Sequence, residues 1–397
     1  MKFKFILSFL ILLSFFQIGK AGEVDILLEK LVNKGVITKE EAKEIKEDIK
    51  KEKEKEQGKY DFLKNTKFSG DLRIRYQNED IKGDANRDRG RIRARWGFKT
   101  NVNENIEVGL RLATGVGEQT STNQTFDNAF SEKNFWLDRA YVKYKFNDNF
   151  SFIGGKIENP FFSTDGIWDT DINPEGIAFI YKNQNGFFMN SGFFPVKEIK
   201  EDTRDPYIYG VQIGFDGKIS EKKFKIAAGL YSTLNFEGRV ETEISPYYRA
   251  KGNTLVNGDK GKCYKYEYRP FDILFEFTPF EVGKQPVKIY ADYFKNIYSG
   301  VSKDTGYLFG FSIGKLKEKN DWTFEYNFRK IEGDATPAIF TDSDINGGGT
   351  DLKGHKISFG YQLNKYSSVG ITYFIGEGIG SRTDKRNTLQ LDYLVKF

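Results

Sequence analysis

The side chains best equipped for chemistry are arginines set two residues apart. Arg73 and Arg75, then Arg91, Arg93 and Arg95, are each separated by one small or apolar residue, and Arg111, Arg139 and Lys143 continue the series. A guanidinium stays protonated at physiological pH and offers five donors to carboxylate or phosphate oxygens. On one face of a strand, such a set can steer anions or brace acidic segments through ion pairs, and the two readings coexist. Other chemistry is thinly supplied. One histidine, His355, and one cysteine, Cys263, leave no multi-imidazole or multi-thiolate metal site and no disulfide framework. No Ser or acid cluster accompanies His355, so no catalytic residue is assigned and neither metal nor cofactor is expected.

Positioning the arginines requires strands. In Leu72-Arg73-Ile74-Arg75-Tyr76 and in Arg91 to Phe98, apolar positions alternate with arginine or glycine, the period of a strand with one apolar face. Comparable segments follow near 106–115, 135–146, 150–157, 176–182, 187–194, 207–216, 224–232, 270–279, 286–294, 307–316, 322–331, 354–363, 368–376 and 387–397, about sixteen strands in all. One parity carries Trp322, Phe324, Tyr326 and Phe328, or Leu389, Leu391 and Tyr393; the other carries Glu325, Arg329, Gln390, Asp392 and Lys396. A charged face of that kind cannot be a dry core, and the apolar face would then contact lipid. Lipid offers no hydrogen-bond partners, so the sheet must close. The fold class is all-β, a transmembrane antiparallel barrel wide enough for an aqueous channel. Short turns such as 101–105 and 147–149 alternate with long connections such as 116–134, 158–175, 233–269 and 332–353, as periplasmic turns and extracellular loops do. The 233–269 connection, with Tyr247, Tyr248, Tyr264, Tyr266 and Tyr268, leaves room for a hairpin that would make eighteen strands.

Two zones precede the barrel. Lys2 and Lys4 lead an apolar run from Phe5 to Ile18 that ends in Gly19-Lys20-Ala21, which reads as a signal peptide over residues 1–21. Its removal brings the net charge from +5 to about +2, too balanced to announce a nucleic-acid partner. Residues 22–58 read as a periplasmic helical segment: Gly35 stops a first helix and Thr38-Lys39-Glu40-Glu41 caps a second. The narrow apolar stripe over 23–57 suits a coiled coil, a cell-wall contact or a solvated linker. Residues 59–397 form the barrel. Composition agrees, because 39% apolar content excludes a helical transporter and 16% aromatics exclude disorder.

The chain closes on Leu391-Asp392-Tyr393-Leu394-Val395-Lys396-Phe397 and opens its first strand with Phe68-Ser69-Gly70-Asp71-Leu72-Arg73. In both it resembles bacterial outer-membrane porins of the putative-porin and phosphate-selective groups. The resemblance implies that Tyr393, Val395 and Phe397 form the barrel-insertion signal and that the protein is a homotrimeric, passive diffusion channel for small hydrophilic solutes and inorganic ions, with lipid as its other partner. In position, residues 158–175 resemble the constriction loop that porins fold into the lumen after the fifth strand. The loop residues Glu158, Phe161, Phe162, Asp165, Trp168, Asp169, Asp171 and Glu175 would then oppose the arginine wall and leave a weak anion preference. A channel specific for phosphate or another oxyanion is the rival, and a barrel enzyme or adhesin is a weaker one. Asp342-Ser343-Asp344-Ile345-Asn346-Gly347 opens like a calcium-binding loop, but Lys353 stands at the required acidic twelfth position.

Overall fold

The protein, as a computed structural model, is described over residues 21–200, 202–246 and 250–397. Of the expected signal peptide only Ala21 falls within these residues, and Tyr247 and Tyr248 lie outside them. Two compact units meet in sequence at Lys64 and Asn65.

The first unit is a helix pair, α1 (Ala21–Asn33) and α2 (Lys39–Lys64). Gly35 ends α1 at φ +69°, in the left-handed region where a side chain would be strained. Thr38 and Glu41 form a reciprocal cap on α2: the Thr38 N–H donates to Glu41 Oε2 at 2.7 Å, and the Glu41 N–H donates to Thr38 Oγ1 at 3.1 Å. The expected junction at residue 58 falls inside α2.

The second unit is a closed antiparallel barrel of sixteen strands. These are β1 (Thr66–Ile81), β2 (Arg87–Asn101), β3 (Ile106–Thr114), β4 (Phe135–Lys145), β5 (Phe150–Lys156), β6 (Glu175–Lys182), β7 (Phe187–Pro195), β8 (Tyr207–Ile219), β9 (Lys222–Leu234), β10 (Pro270–Val282), β11 (Gln285–Asn296), β12 (Thr305–Gly314), β13 (Trp322–Ile331), β14 (Leu352–Gln362), β15 (Ser367–Gly378) and β16 (Lys385–Lys396). Closure comes from β1 against β16, with Asp71 opposite Lys396 and Ile81 opposite Arg386. One rim carries L1 (82–86), L2 (115–134), L3 (157–174), L4 (196–206), L5 (235–269), L6 (297–304), L7 (332–351) and L8 (379–384), the long connections among them. L5 does contain a hairpin, Leu255–Gly258 with Gly261–Tyr264, but it forms its own two-stranded sheet and leaves the wall at sixteen rather than eighteen.

Side-chain parity divides the wall. Ile74, Trp96, Phe359, Leu391 and Tyr393 are exposed on the outer face, whereas Arg329, Asn327 and Gln390 are buried on the inner one. Phe397 exchanges backbone hydrogen bonds with Gly70 at 2.8 and 3.0 Å, and a Cβ on Gly70 would stand 2.7 Å from its ring. Glycine is therefore what the terminal aromatic needs opposite it.

Candidate functional site

The register of β1 on β2 sets Arg73 opposite Arg93 and Arg75 opposite Arg91. Like charges directly opposed weaken strand pairing, and acids of the same wall with amides of the wall and of L2 offset the cost. Arg75 makes a fork to Asp392 with both bonds at 2.7 Å. Arg93 and Arg95 share Asp71, at 2.8 Å each. Arg73 donates to Asn123 Oδ1 at 2.6 Å, and Arg91 donates to Gln77 Oε1 at 3.1 Å. A register shift between β3 and β4 inserts Asp138, whose carboxylate pairs with Arg111. Arg139 bonds Glu158 and Asn173, both at 2.7 Å. Lys143 stands opposite Glu107, nearer the short-turn rim and away from this cluster. All eight basic residues named from the sequence lie on inward parity. Two more were missed: Arg89 pairs with Glu79, and Arg386 approaches the same carboxylate at 3.4 Å. Arg89 continues the alternation of Arg91 to Arg95, so the signal for it was present.

L3 folds into the lumen because it carries its own apolar residues. Ile157, Phe161, Ile167, Trp168 and Ile172 are buried in a cluster with Tyr141, Ile153, Phe194, Ile208, Tyr231 and Phe294 of the inner wall. Trp168 stacks against Phe161 with centroids 6.4 Å apart. Phe162 exchanges backbone hydrogen bonds with the Gln212 amide at 2.6 and 2.8 Å, while Lys225 sits 3.9 Å over its ring. Thr164 donates to the buried Asp292.

The eight residues named for L3 separate into three groups. Phe161, Phe162 and Trp168 anchor the loop. Asp165, Asp169 and Asp171 line a lumenal cavity of about 510 Å³ together with Arg73, Arg75 and Arg93. Glu158 and Glu175 stand apart from that cavity: Glu158 pairs with Arg139, and Glu175, the first residue of β6, pairs with Lys156 at 2.8 Å. Asp171 approaches Arg95 at 3.5 Å, a second direct contact between L3 and the basic wall beside those of Arg139.

The same cavity is lined by Asp342, Ser343 and Asp344 of L7, which the sequence reading placed outside the barrel. Arg329, 1% exposed, donates to Asp342 at 2.8 Å and lies 3.5 Å from Asp165, so one guanidinium joins L7 to L3. Burial, and then the Asp342 and Asp171 carboxylates, push Asp169 well above the usual carboxylate range. Burial also pushes Asp342 up to about 6, against the opposing pull of Arg329. Across the cavity, Lys356 approaches Glu325 at 3.2 Å and Lys288 approaches Glu276 at 2.9 Å.

The calcium-like run is therefore engaged with Arg329, and among the described residues no group of three or more His, Cys, Asp or Glu is arranged to hold a metal ion. His355 is on the outer face, its Nδ1 2.9 Å from the Tyr326 hydroxyl and its ring against Phe328.

The family model described as "Putative porin" matches residues 81–263 and 284–397. The high-pH structure of OprB from Pseudomonas putida superposes with a TM-score of 0.59 at 12% identity, covering 84% of this chain and 94% of that one. OmpF from Salmonella typhi, in complex with daunomycin, superposes with a TM-score of 0.52 at 11% identity, covering 84% and 97%. At such identities the likeness is one of fold. No protein of curated function matches by sequence.

Proposed function

We propose that this chain, which belongs to the Putative porin family and is a general outer-membrane channel, passes small hydrophilic solutes and inorganic ions by passive diffusion with a weak preference for anions. The observation that carries the reading is the one-sided arginine column. Arg73, Arg75 and Arg93 line the lumenal cavity from β1 and β2, with Arg89, Arg91 and Arg95 on the same face. Arginines there outnumber the wall acids Asp71, Glu79 and Asp392, which supports a residual positive potential.

A general channel fits better than an oxyanion-specific one. Specific capture calls for free cations converging from several directions, whereas here the arginines stand in a column on one wall and Lys288 and Lys356 across the cavity are each paired with a glutamate. Each guanidinium also has a partner within the protein, so a passing anion competes for donors already in use. Passive diffusion assigns no catalytic role to any residue.

The homotrimer is proposed on the height of the wall. β5 has 7 residues and β6 has 8, fewer than the roughly 9–11 that a strand needs to cross the hydrocarbon layer. A neighbouring copy covering this low section would shield it from lipid. The signal peptide directs export, and the helix pair occupies the periplasm, where coiled-coil or cell-wall contact is its proposed role.

The test is the reversal potential of the purified protein in a planar bilayer under a potassium chloride gradient. Wild type should favour chloride, and Arg93→Ala should reduce that preference while channels still form. Unchanged selectivity would leave the arginines as braces for L3, and the absence of channels would overturn the reading.

A further inference from the structure

L7 is buried where an extracellular loop would be exposed. Ala335, Thr336, Ala338, Ile339, Ile345, Asn346 and Thr350 are each at most 1% exposed. The loop is held to L3 by backbone groups: the Asp169 N–H donates to Phe340 O at 2.7 Å, and the Asp342 N–H donates to Asp165 O at 3.2 Å. Ser343 adds an N–H to Asp169 Oδ2 at 3.2 Å and a hydroxyl to Thr120 O of L2 at 3.1 Å. From L5, the Asn253 amide bonds Gly333 O at 2.7 Å and Thr336 O at 2.9 Å. A segment tied to three neighbouring loops has little freedom to leave the lumen.

The carboxylates that L3 and L7 bring to the cavity differ in how they are held. Asp165 and Asp342 share Arg329, and Asp171 approaches Arg95 and accepts from the Thr122 N–H and hydroxyl at 3.3 Å each. Asp169 is 7% exposed and accepts from the Asp171 and Ser343 N–H groups. Asp344 has no such cation. Its Oδ1 accepts from the Gln390 amide at 2.9 Å, and among the described residues no Lys or Arg nitrogen lies within 4.0 Å of its carboxylate. It nevertheless lines the cavity with Arg73, Arg75 and Arg93, close enough to Arg73, Arg75 and Arg91 to interact electrostatically.

We propose that L7 is a second constriction loop and that Asp344 is a selectivity-determining residue, the negative charge that faces the arginine column without a cation of its own. The proposal rests on the channel reading and explains why an arginine-rich wall confers only a weak anion preference. A solute in the cavity passes between a fixed carboxylate on L7 and guanidinium groups on β1 and β2. Their fields add across the pore and partly cancel along it. Asp344 thus opposes Arg93 in setting the sign of the permeant ion.

The experiment is the reversal potential of the full chain in planar bilayers under a potassium chloride gradient. Asp344→Asn should raise the chloride-to-potassium permeability ratio roughly two- to threefold, the effect of one unit charge several ångströms from the ion path in a water-filled pore. Asp344→Glu should restore the wild-type ratio, and Asp148→Asn, in a short turn between β4 and β5, should leave it unchanged. The double variant Arg93→Ala with Asp344→Asn should fall between the two single variants. If Asp344→Asn fails to fold, a Ser343→Cys variant in a Cys263→Ser background, treated with sulfonate or ammonium thiol reagents, reads the same position: the sulfonate should lower the ratio and the ammonium raise it. Channels whose ratio ignores both Asp344→Asn and the modified Cys overturn the role of L7 while the channel reading stands. Absence of channels in wild type overturns both.

Discussion

Inside the barrel, the side walled by β4 to β11 and the side walled by β16, β1 and β2 face each other across L3 and obey different physics. On the first, Phe161, Ile167, Trp168 and Ile172 meet Tyr141, Phe194, Tyr231 and Phe294 and exclude water. On the second, Arg73, Arg75 and Arg93 are held by Asn123, Asp392 and Asp71 at the edge of a polar cavity. The dry side fixes where L3 stands, because apolar contact is additive over many atoms and is not screened by salt as ion pairs are. The charged side contributes less to stability, since ion pairs bordering water are worth little each, yet its potential reaches the solute. Position and selectivity are thereby assigned to different walls, and each can be altered largely without the other.

The sharpest way to break that division is Trp168→Ala. Removing a 5%-exposed indole should cost about 3–5 kcal/mol and loosen L3, raising single-channel conductance and lowering the unfolding temperature. Unaltered conductance would mean that the polar ties to L7 and L2 suffice to hold the loop. Next in size is a pair of neighbours on opposite faces of β14. Phe359→Arg, at 44% exposed on the lipid side, should cost about 2–4 kcal/mol. Ser358→Arg, on the cavity side, should leave the urea midpoint nearly unchanged and shift the reversal potential toward anions. Equal destabilisation by both would contradict the assignment of faces.

The smallest effect concerns pH. Asp342, raised to about 6 chiefly by burial, is protonated in acid and charged at neutrality, and Asp169 is displaced in the same direction. Chloride preference should therefore rise as pH falls through about 6 in reversal-potential titrations. For stability the sign is the reverse of an ordinary paired carboxylate. A folded pKa above the unfolded one gives a contribution that is present in acid and lost as pH rises through about 6. The Asp342→Asn variant should flatten both curves near that pH, and persistence of the selectivity change would assign it elsewhere.

What could be read before folding was whatever repeats locally. Alternation along Arg91 to Phe98, or along Leu389 to Phe397, identified the strands and separated the face toward lipid from the face toward water. Thr38 and Glu41, three residues apart, announced the cap of α2. L3 was legible for a similar reason: Phe161, Phe162 and Trp168 within one long connection give it cause to pack.

The partners of the site were beyond local pattern. Arg75 finds Asp392 across 317 positions only because β1 closes on β16, and Asp138 reaches Arg111 only through a shift in register. L7 looked like an exposed loop with a calcium-like run. Its descent into the lumen depends on Arg329, Asn253 and L3 standing where the closed barrel puts them. The sequence by itself determined that a barrel forms and which face of each strand sees water, because a two-residue period fixes side-chain direction. The tertiary structure alone decided which charges meet across the pore, since closure brings together groups that no local interaction links.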